Sequence, residues 1–190
     1  MATAEFGEVL AAAQEGAQWA IAMLWQEFHP RLLRFLRGLD LAAAEDVEAD
    51  TWLAAARDLG TFRGDARQFR AWMFTIARNR LVDWRRRELR RRSVTVTPEV
   101  FVDRAADDDP AGTALDQLRA DAAVAQVRAL LPRDQAEVIL LRVVGGLDVA
   151  EVATIVGKRA GTVRVLQHRG LRRLAERLTE PAPERRGVTT

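Results

Sequence analysis

Apolar residues recur at three- and four-residue spacing along most of this chain, the period of helices packed by one face. The pattern predicts helices over 5–13, 17–39, 43–59, 68–92, 113–130, 132–144, 148–156 and 160–178. Pro30 falls inside the second and is expected to kink it or split it near His29, because proline lacks the amide the helix needs. The only β-branched alternation, Val94-Thr-Val-Thr, is short and ends at Pro98. It reads as extended linker, and the expected fold is all-α.

Periodicity fails over residues 93–112, which hold two prolines and the run Asp107-Asp-Asp-Pro110. Such a segment reads as a flexible acidic tether. It divides the chain into two small helical domains, 17–92 and 113–178. An N-terminal extension over 1–16 precedes them, and a tail over 179–190, with Pro181 and Pro183, is expected to be disordered.

The last two helices form a recognisable pair. Asp148 and Glu151 have capping-box spacing, and Gly157 closes the first helix. In the second, Val163, Leu166, Gly170, Leu171 and Leu174 mark the packed side, while Arg164, Val165, His168, Arg169 and Arg172 fall elsewhere. Two short helices, a tight glycine turn and a basic second helix describe a helix-turn-helix. An αα-hairpin with a solvated basic face is the plainer alternative.

The 68–92 helix is also basic. Trp72, Ile76, Leu81 and Trp84 supply its apolar contacts, with Trp72 read as core rather than as a wedge between bases. Arg70, Arg78, Arg80, Arg85, Arg86 and Arg87 are interrupted only by Asp83. An ordinary surface helix alternates charge signs to form i,i+4 pairs. This one points to a polyanionic partner.

Composition narrows the function classes. The net charge of +2 conceals segregation, since six of the eight residues over 85–92 are arginine while 99–121 holds seven acids against two arginines. Of 29 basic residues only Lys158 is lysine. No cysteine is present, which excludes disulfides and thiolate chemistry. The two histidines, His29 and His168, are far apart in sequence, so no metal site is expected. No apolar run approaches the roughly 20 residues of a membrane span. No basic stretch of a signal peptide opens the chain, and a cytoplasmic location is expected.

The 43–59 helix carries Glu45, Asp46, Glu48 and Asp50 within two turns, with Asp46 and Asp50 on one face. Val47 and Leu53 are expected to face the core, and Trp52 its margin. No histidine or phosphate loop accompanies the acids, so neither metal nor catalysis is expected. A solvated face is the plain reading, and a docking surface for a basic partner the sharper one.

Together these residues resemble the extracytoplasmic-function (ECF) group of bacterial sigma-70 RNA polymerase sigma factors. The resemblance rests on the Ala44-Glu-Asp-Val helix, the Phe62-Arg-Gly-Asp65 loop, the Arg70-Ala-Trp-Met-Phe-Thr-Ile-Ala-Arg-Asn79 helix and the Gly161-Thr-Val-Arg164 helix-turn-helix. It covers most of residues 19–178. It implies a σ2 domain, an acidic linker in place of σ3, and a σ4 domain. By that resemblance Asp46, Asp50 and Trp52 dock on core polymerase, whose contacts are the β′ clamp helices and the β subunit. Ala49 stands where the family usually has Gln, one polar contact fewer. Phe62, Arg63, Gly64 and Asp65 occupy the loop that receives a flipped −10 base, Asn79 lies beside that pocket, and Arg78 and Arg80 hold phosphates. In σ4, Arg164, Val165 and Arg169 match base-reading positions for the −35 element, with His168 adjacent. Lys158, Thr162 and Arg172 are placed toward phosphate. Arg159 replaces a usual Ser or Pro, a weaker cap but an added cation.

The expected function is therefore a non-enzymatic specificity subunit that binds core polymerase, recognises −35 and −10 elements and promotes DNA opening. It has no cofactor. Promoter DNA and core polymerase are the implied partners, with an anti-sigma factor as regulator. The rival reading is an autonomous helix-turn-helix regulator that binds duplex DNA as a dimer and leaves the 62–65 loop without a task. A helical enzyme lacks any convergent catalytic set.

Overall fold

The computed structural model describes residues 3–92 and 114–179. Among them every regular element is helical, as the periodicity predicts. The order is α1 (Thr3–Gln14), α2 (Gln18–Leu39), α3 (Ala44–Asp58), a 3-10 turn (Leu59–Thr61), α4 (Ala66–Arg92), α5 (Ala114–Leu130), α6 (Arg133–Val143), α7 (Val149–Val156) and α8 (Ala160–Thr179). The expected tether over 93–112 lies outside the described residues, as does the expected tail beyond Thr179. No helix among the described residues is long and apolar enough to cross a membrane.

The first half is built around α2. Ala20, Leu24, Phe28, Leu32, Phe35 and Leu36 are all buried, a stripe at four- and three-residue spacing. Of the two outcomes expected at Pro30, a kink or a split, the split does not occur: α2 runs unbroken from Gln18 to Leu39. Pro30 and Gln26, whose carbonyl loses its amide partner, are both exposed, so water can satisfy that carbonyl. The stripe on the opposite side holds the helix together across the gap.

Against α2 pack α1, α3 and α4. From α1 come Phe6, Val9, Leu10 and Ala13, all buried. The stretch expected as an extension is thus packed onto the first core. From α4 come Phe69, Met73, Ala77 and Leu81, one residue per turn, with Phe74 beside them. Trp72, Ile76 and Trp84 are only partly buried at the edge of that stripe. α3 buries Val47, Thr51, Ala54 and Ala55. Leu53 does not join them and is 58% exposed. Six residues after Val47 it lies about 120° round the helix, one step from buried Ala54 and off the packed stripe.

In the second half α6 supplies Val138, Ile139, Leu140 and Leu141, α7 supplies Val152, Ile155 and Val156, and α8 supplies Val163. Gly170 lets α8 approach α6. A Cβ there would lie 2.5 Å from Ile139 Cδ1, so a larger residue would push the helices apart. Leu171, expected on the packed side, is instead 47% exposed. It is one step round from Gly170 and clears the stripe formed by Val163, Leu166, Gly170 and Leu174.

The sequence separates two helical units, and the fold lays one on the other. α2 contacts α5 and α6, and α4 contacts α7. Gly38 is the notch at this junction, since a Cβ would meet Leu140 Cδ1 at 2.6 Å and Val124 Cγ1 at 2.8 Å. Ion pairs rim it: Arg34 with Asp121 at 3.0 Å and Arg78 with Glu137 at 2.9 Å. The guanidinium of Arg128 also donates to the Arg37 carbonyl at 2.9 Å.

Burial separates two substitutions that composition would treat alike. Phe69→Ala removes a fully buried ring and should cost about 3–5 kcal/mol. Leu53→Ser, on an exposed face, should change stability by no more than about 0.5 kcal/mol. Urea unfolding of the two variants beside the parent chain measures both. Equal losses would contradict the placement of α3.

Candidate nucleic-acid interface

The helix-turn-helix has the caps its sequence promises. Asp148 Oδ1 accepts from the Glu151 amide at 2.8 Å, and Glu151 Oε2 accepts from the Asp148 amide at 2.6 Å. Gly157 closes α7 in the left-handed region at φ 66°, where a side chain would be strained. These two devices fix how α8 leaves the turn.

Burial of Val163 and Gly170 then dictates which side of α8 faces water. Thr162, Arg164, Val165, His168, Arg169 and Arg172 are exposed, as is Arg159 just before the helix. Arg164, Val165, His168 and Arg169 recur at i, i+1, i+4 and i+5, so they form one stripe. No carboxylate among the described residues forms a salt bridge with Arg164 or Arg169. Lys158 is held by Asp134 at 3.0 Å, and Arg172 by Glu176 at 2.7 Å. The stripe therefore offers two free planar guanidinium groups around an apolar methyl pair, a set able to read guanine edges and a thymine methyl in a major groove.

The 62–65 loop joins the 3-10 turn to α4. Phe62 turns partly inward, edge-on to Phe69 at 5.2 Å and beside Trp72 at 5.0 Å. Trp72 thus packs against rings, in line with the core reading. Arg63 folds back to donate to the Gly60 and Phe62 carbonyls at 2.9 and 2.7 Å. Asp65 caps α4: its carboxylate accepts from the Gln68 amide at 2.8 Å, and Gln68 Oε1 accepts from the Asp65 amide at 2.9 Å. This reciprocal box explains why α4 begins two residues before the predicted start. Gly64 permits the tight path, because a Cβ would sit 2.7 Å from Gln68 Oε1.

One residue that supports this loop escaped the sequence reading. The Gln14 side-chain amide, at the end of α1, donates to the Leu59 and Phe62 carbonyls, both at 2.9 Å. A glutamine in an alanine-rich helix end carries no spacing signal. Its role depends on where α1 packs.

Arg78, Asn79 and Arg80 are not gathered into one patch. Consecutive residues point about 100° apart around a helix. Arg78 turns to Glu137 of α6, Asn79 is exposed and Arg80 is half-buried. Nor is Asn79 beside the loop, since 14 residues separate it from Asp65. That is about 20 Å along α4 at the helical rise, or roughly six nucleotides of one strand. Arg85 is committed to the fold through Asp40 at 3.0 Å and the Leu39 carbonyl at 2.6 Å.

On α3, Asp46, Ala49 and Asp50 wall a cleft of about 350 Å³ whose other side is Trp84, Arg87, Glu88 and Arg91 of α4. Asp50 lies 3.7 Å from Arg87. Trp52 faces a different way. Its indole N–H donates to the Glu48 carboxylate, which His29 Nδ1 also reaches at 2.8 Å, and its ring packs on Trp25 at 4.9 Å.

Acids of the second half cover arginines of the first. Arg67 pairs with both Asp148 and Glu151, and the hydrogen bond it donates to Glu151 holds its guanidinium above the ordinary arginine value. Glu137, buried at 7% exposure, receives Arg78. Nearby Arg133 is held below its ordinary value, first by removal from water and then by the charge of Arg85.

Sigma-70 region 2 matches residues 24–91, and Sigma-70 region 4 matches residues 122–174. The ECF RNA polymerase sigma factor BldN of Streptomyces coelicolor is 35% identical over 182 residues, covering 95% of this chain and 68% of that protein. The ECF RNA polymerase sigma factor ShbA of Streptomyces griseus is 32% identical over 180 residues, covering 90% and 94%. In fold the chain is similar to the sigma factor RpoE of Bartonella quintana, solved with the anti-sigma factor NepR, at TM-score 0.61 and 24% identity over 85% of this chain and 98% of that one.

The Asp148 cap carries a pH signature. Its carboxyl is held below the usual carboxylate value of 3.8, first by the hydrogen bond from the Glu151 amide. A depressed folded value contributes stability above the unfolded value, and that contribution is lost as pH falls through the folded one. Melting temperature followed from about pH 5 down to pH 2.5 should fall more steeply for the parent than for Asp148→Asn, which keeps a cap but cannot titrate. Parallel curves would contradict the cap's charge.

Proposed function

The chain belongs to the ECF group of sigma-70 RNA polymerase sigma factors, and on that premise we propose how its surfaces divide the work of initiation. As a sigma factor it is a DNA-binding regulatory subunit. In our reading α8 enters the major groove of the −35 element, with Arg164, Val165 and Arg169 on base edges and His168 beside them. Thr162, Arg159, Lys158 and Arg172 hold phosphates, the last two after release from Asp134 and Glu176. The observation that carries this is the exposed stripe of α8, whose two arginines have no salt-bridging carboxylate among the described residues and which follows an α7 capped at both ends.

The 62–65 loop takes the flipped −10 base. Asn79 and Arg80, farther along α4, follow the same strand. Opening is driven by capture of unstacked bases and needs no nucleotide hydrolysis, because each captured base offsets part of a few kcal/mol of unstacking. Asp46 and Asp50 meet basic groups of the β′ clamp helices, and the cleft they share with Arg87 and Arg91 supports a polar interface there. Trp52 faces the other side of α3, so it acts by stiffening that helix through Glu48 and Trp25. The second half meets the β subunit. An anti-sigma factor, a partner of the family at large, belongs to this reading, as does a cytoplasmic site of action.

Engaging DNA through Arg78 requires Glu137 to let go. In this reading core polymerase separates the two halves and fixes their spacing, so the free chain binds promoter duplex weakly.

A reconstituted holoenzyme on a randomised promoter library tests the division. Arg164→Ala and Arg169→Ala should each cost about 1–3 kcal/mol and relax one −35 position, while Arg172→Ala weakens all promoters alike. Asp46→Arg should lose the competition for limiting core with helicity intact, because reversing a charge at a complementary interface repels. Tight sequence-specific duplex binding by the free chain would replace this reading with the autonomous regulator.

A further inference from the structure

The loop read above as the −10 pocket is braced from outside its own sequence neighbourhood. Gln14 lies 45 residues before Leu59 and 48 before Phe62, yet its amide nitrogen donates to both carbonyls at 2.9 Å. Those carbonyls bracket the turn. Leu59 O also accepts the Phe62 amide at 3.1 Å, closing the 3-10 turn, and Phe62 O also accepts Arg63 Nη1. One side-chain amide thus fixes the two ends of the segment that presents Phe62 and Arg63.

α1 holds Gln14 at this height. Phe6 packs on Phe69 at 5.5 Å, and Phe69 is the ring against which Phe62 stands. Val9, Leu10 and Ala13 bury the same face of α1. Gly16, with φ 87°, turns the chain out of α1 two residues after Gln14. Without Gln14, two carbonyls at a partly buried site would turn toward water, and the turn would be free to shift.

We propose that Gln14 is a positioning residue for −10 recognition: by tying the Leu59 and Phe62 carbonyls it sets the loop in the conformation that selects the flipped base. The proposal rests on the reading that residues 62–65 receive that base. It assigns α1 a share in promoter specificity through the loop it braces. Gln14→Met keeps the length and shape of the side chain and removes the donor. Gln14→Glu keeps the shape and replaces the donor by a carboxylate facing two carbonyl oxygens. Leu10→Ala loosens α1 packing and leaves the donor in place.

The experiment measures binding of the reconstituted holoenzyme to single-stranded non-template −10 oligonucleotides carrying each base at each position, with thermal unfolding and core affinity in parallel. Arg63→Ala, in the loop itself, serves as the reference. Gln14→Met should retain core affinity and lower the preference at the captured position roughly tenfold, the scale of two lost hydrogen bonds. Gln14→Glu should lower it further. Leu10→Ala should lower the melting temperature with the preference retained. If Arg63→Ala changes the preference and Gln14→Met does not, the positioning role is overturned. If Gln14→Met lowers core affinity and melting temperature with the preference unchanged, Gln14 is merely structural and the proposal fails. If neither Arg63→Ala nor Gln14→Met changes it, the loop is not the pocket, and the proposal falls with that reading.

Discussion

The first half of the molecule depends on the ring of Phe69. It touches Phe6 of α1, Phe28 of α2, Phe62 of the loop and Trp72 of its own helix, with centroid distances between 5.1 and 5.5 Å. Tilted and edge-on pairs of this kind add to the burial of apolar area. They also constrain direction. Two distant helices, the loop and the start of α4 are tied to one side chain, so α1, the loop and the start of α4 move together or not at all. The Asp65–Gln68 cap and the Gln14 amide then complete what the rings begin. A loop preshaped in this way loses little conformational freedom when it meets a base, which is how a short segment can be selective.

Arginine serves two ends in this chain, and burial separates them. Arg85 and Arg78 are spent on the protein's own acids, and Arg67 is shared between the Asp148 cap and Glu151. On α8 the arrangement is reversed, since Arg164 and Arg169 face water. A strongly basic helix face is thus not uniformly a nucleic-acid surface. Carboxylates of the second half occupy part of it while the halves are packed together. The Gly38 notch, with Leu140 and Val124 against it, is the apolar component of the same junction.

Much of this was legible in the sequence. The helices, the α7 capping box, the Gly157 stop and the water-facing stripe of α8 follow from period and cap chemistry, which are local. The faces assigned to Leu53 and Leu171 failed because each is apolar yet one step off its stripe. Pro30 sits inside an unbroken α2, on a side of the helix that is wet. The placement of α1, the role of Gln14 and the docking of the halves were not legible. Each depends on residues more than 40 positions apart meeting in space, such as Arg67 with Glu151, and no local pattern records that. Asn79 was placed beside the loop by resemblance, and α4 sets it 14 residues beyond Asp65.

The 62–65 loop is formed before DNA arrives, held by the Gln14 amide and the Asp65–Gln68 cap. Hydrogen exchange of the free chain tests it most directly, read at the amides of Phe62, bonded to Leu59 O at 3.1 Å, and Gln68, bonded to Asp65 Oδ1 at 2.8 Å. Both should be protected in the free chain, and addition of core polymerase should change them little. Exchange at the rate of an unstructured peptide, with protection appearing only on promoter binding, would contradict it.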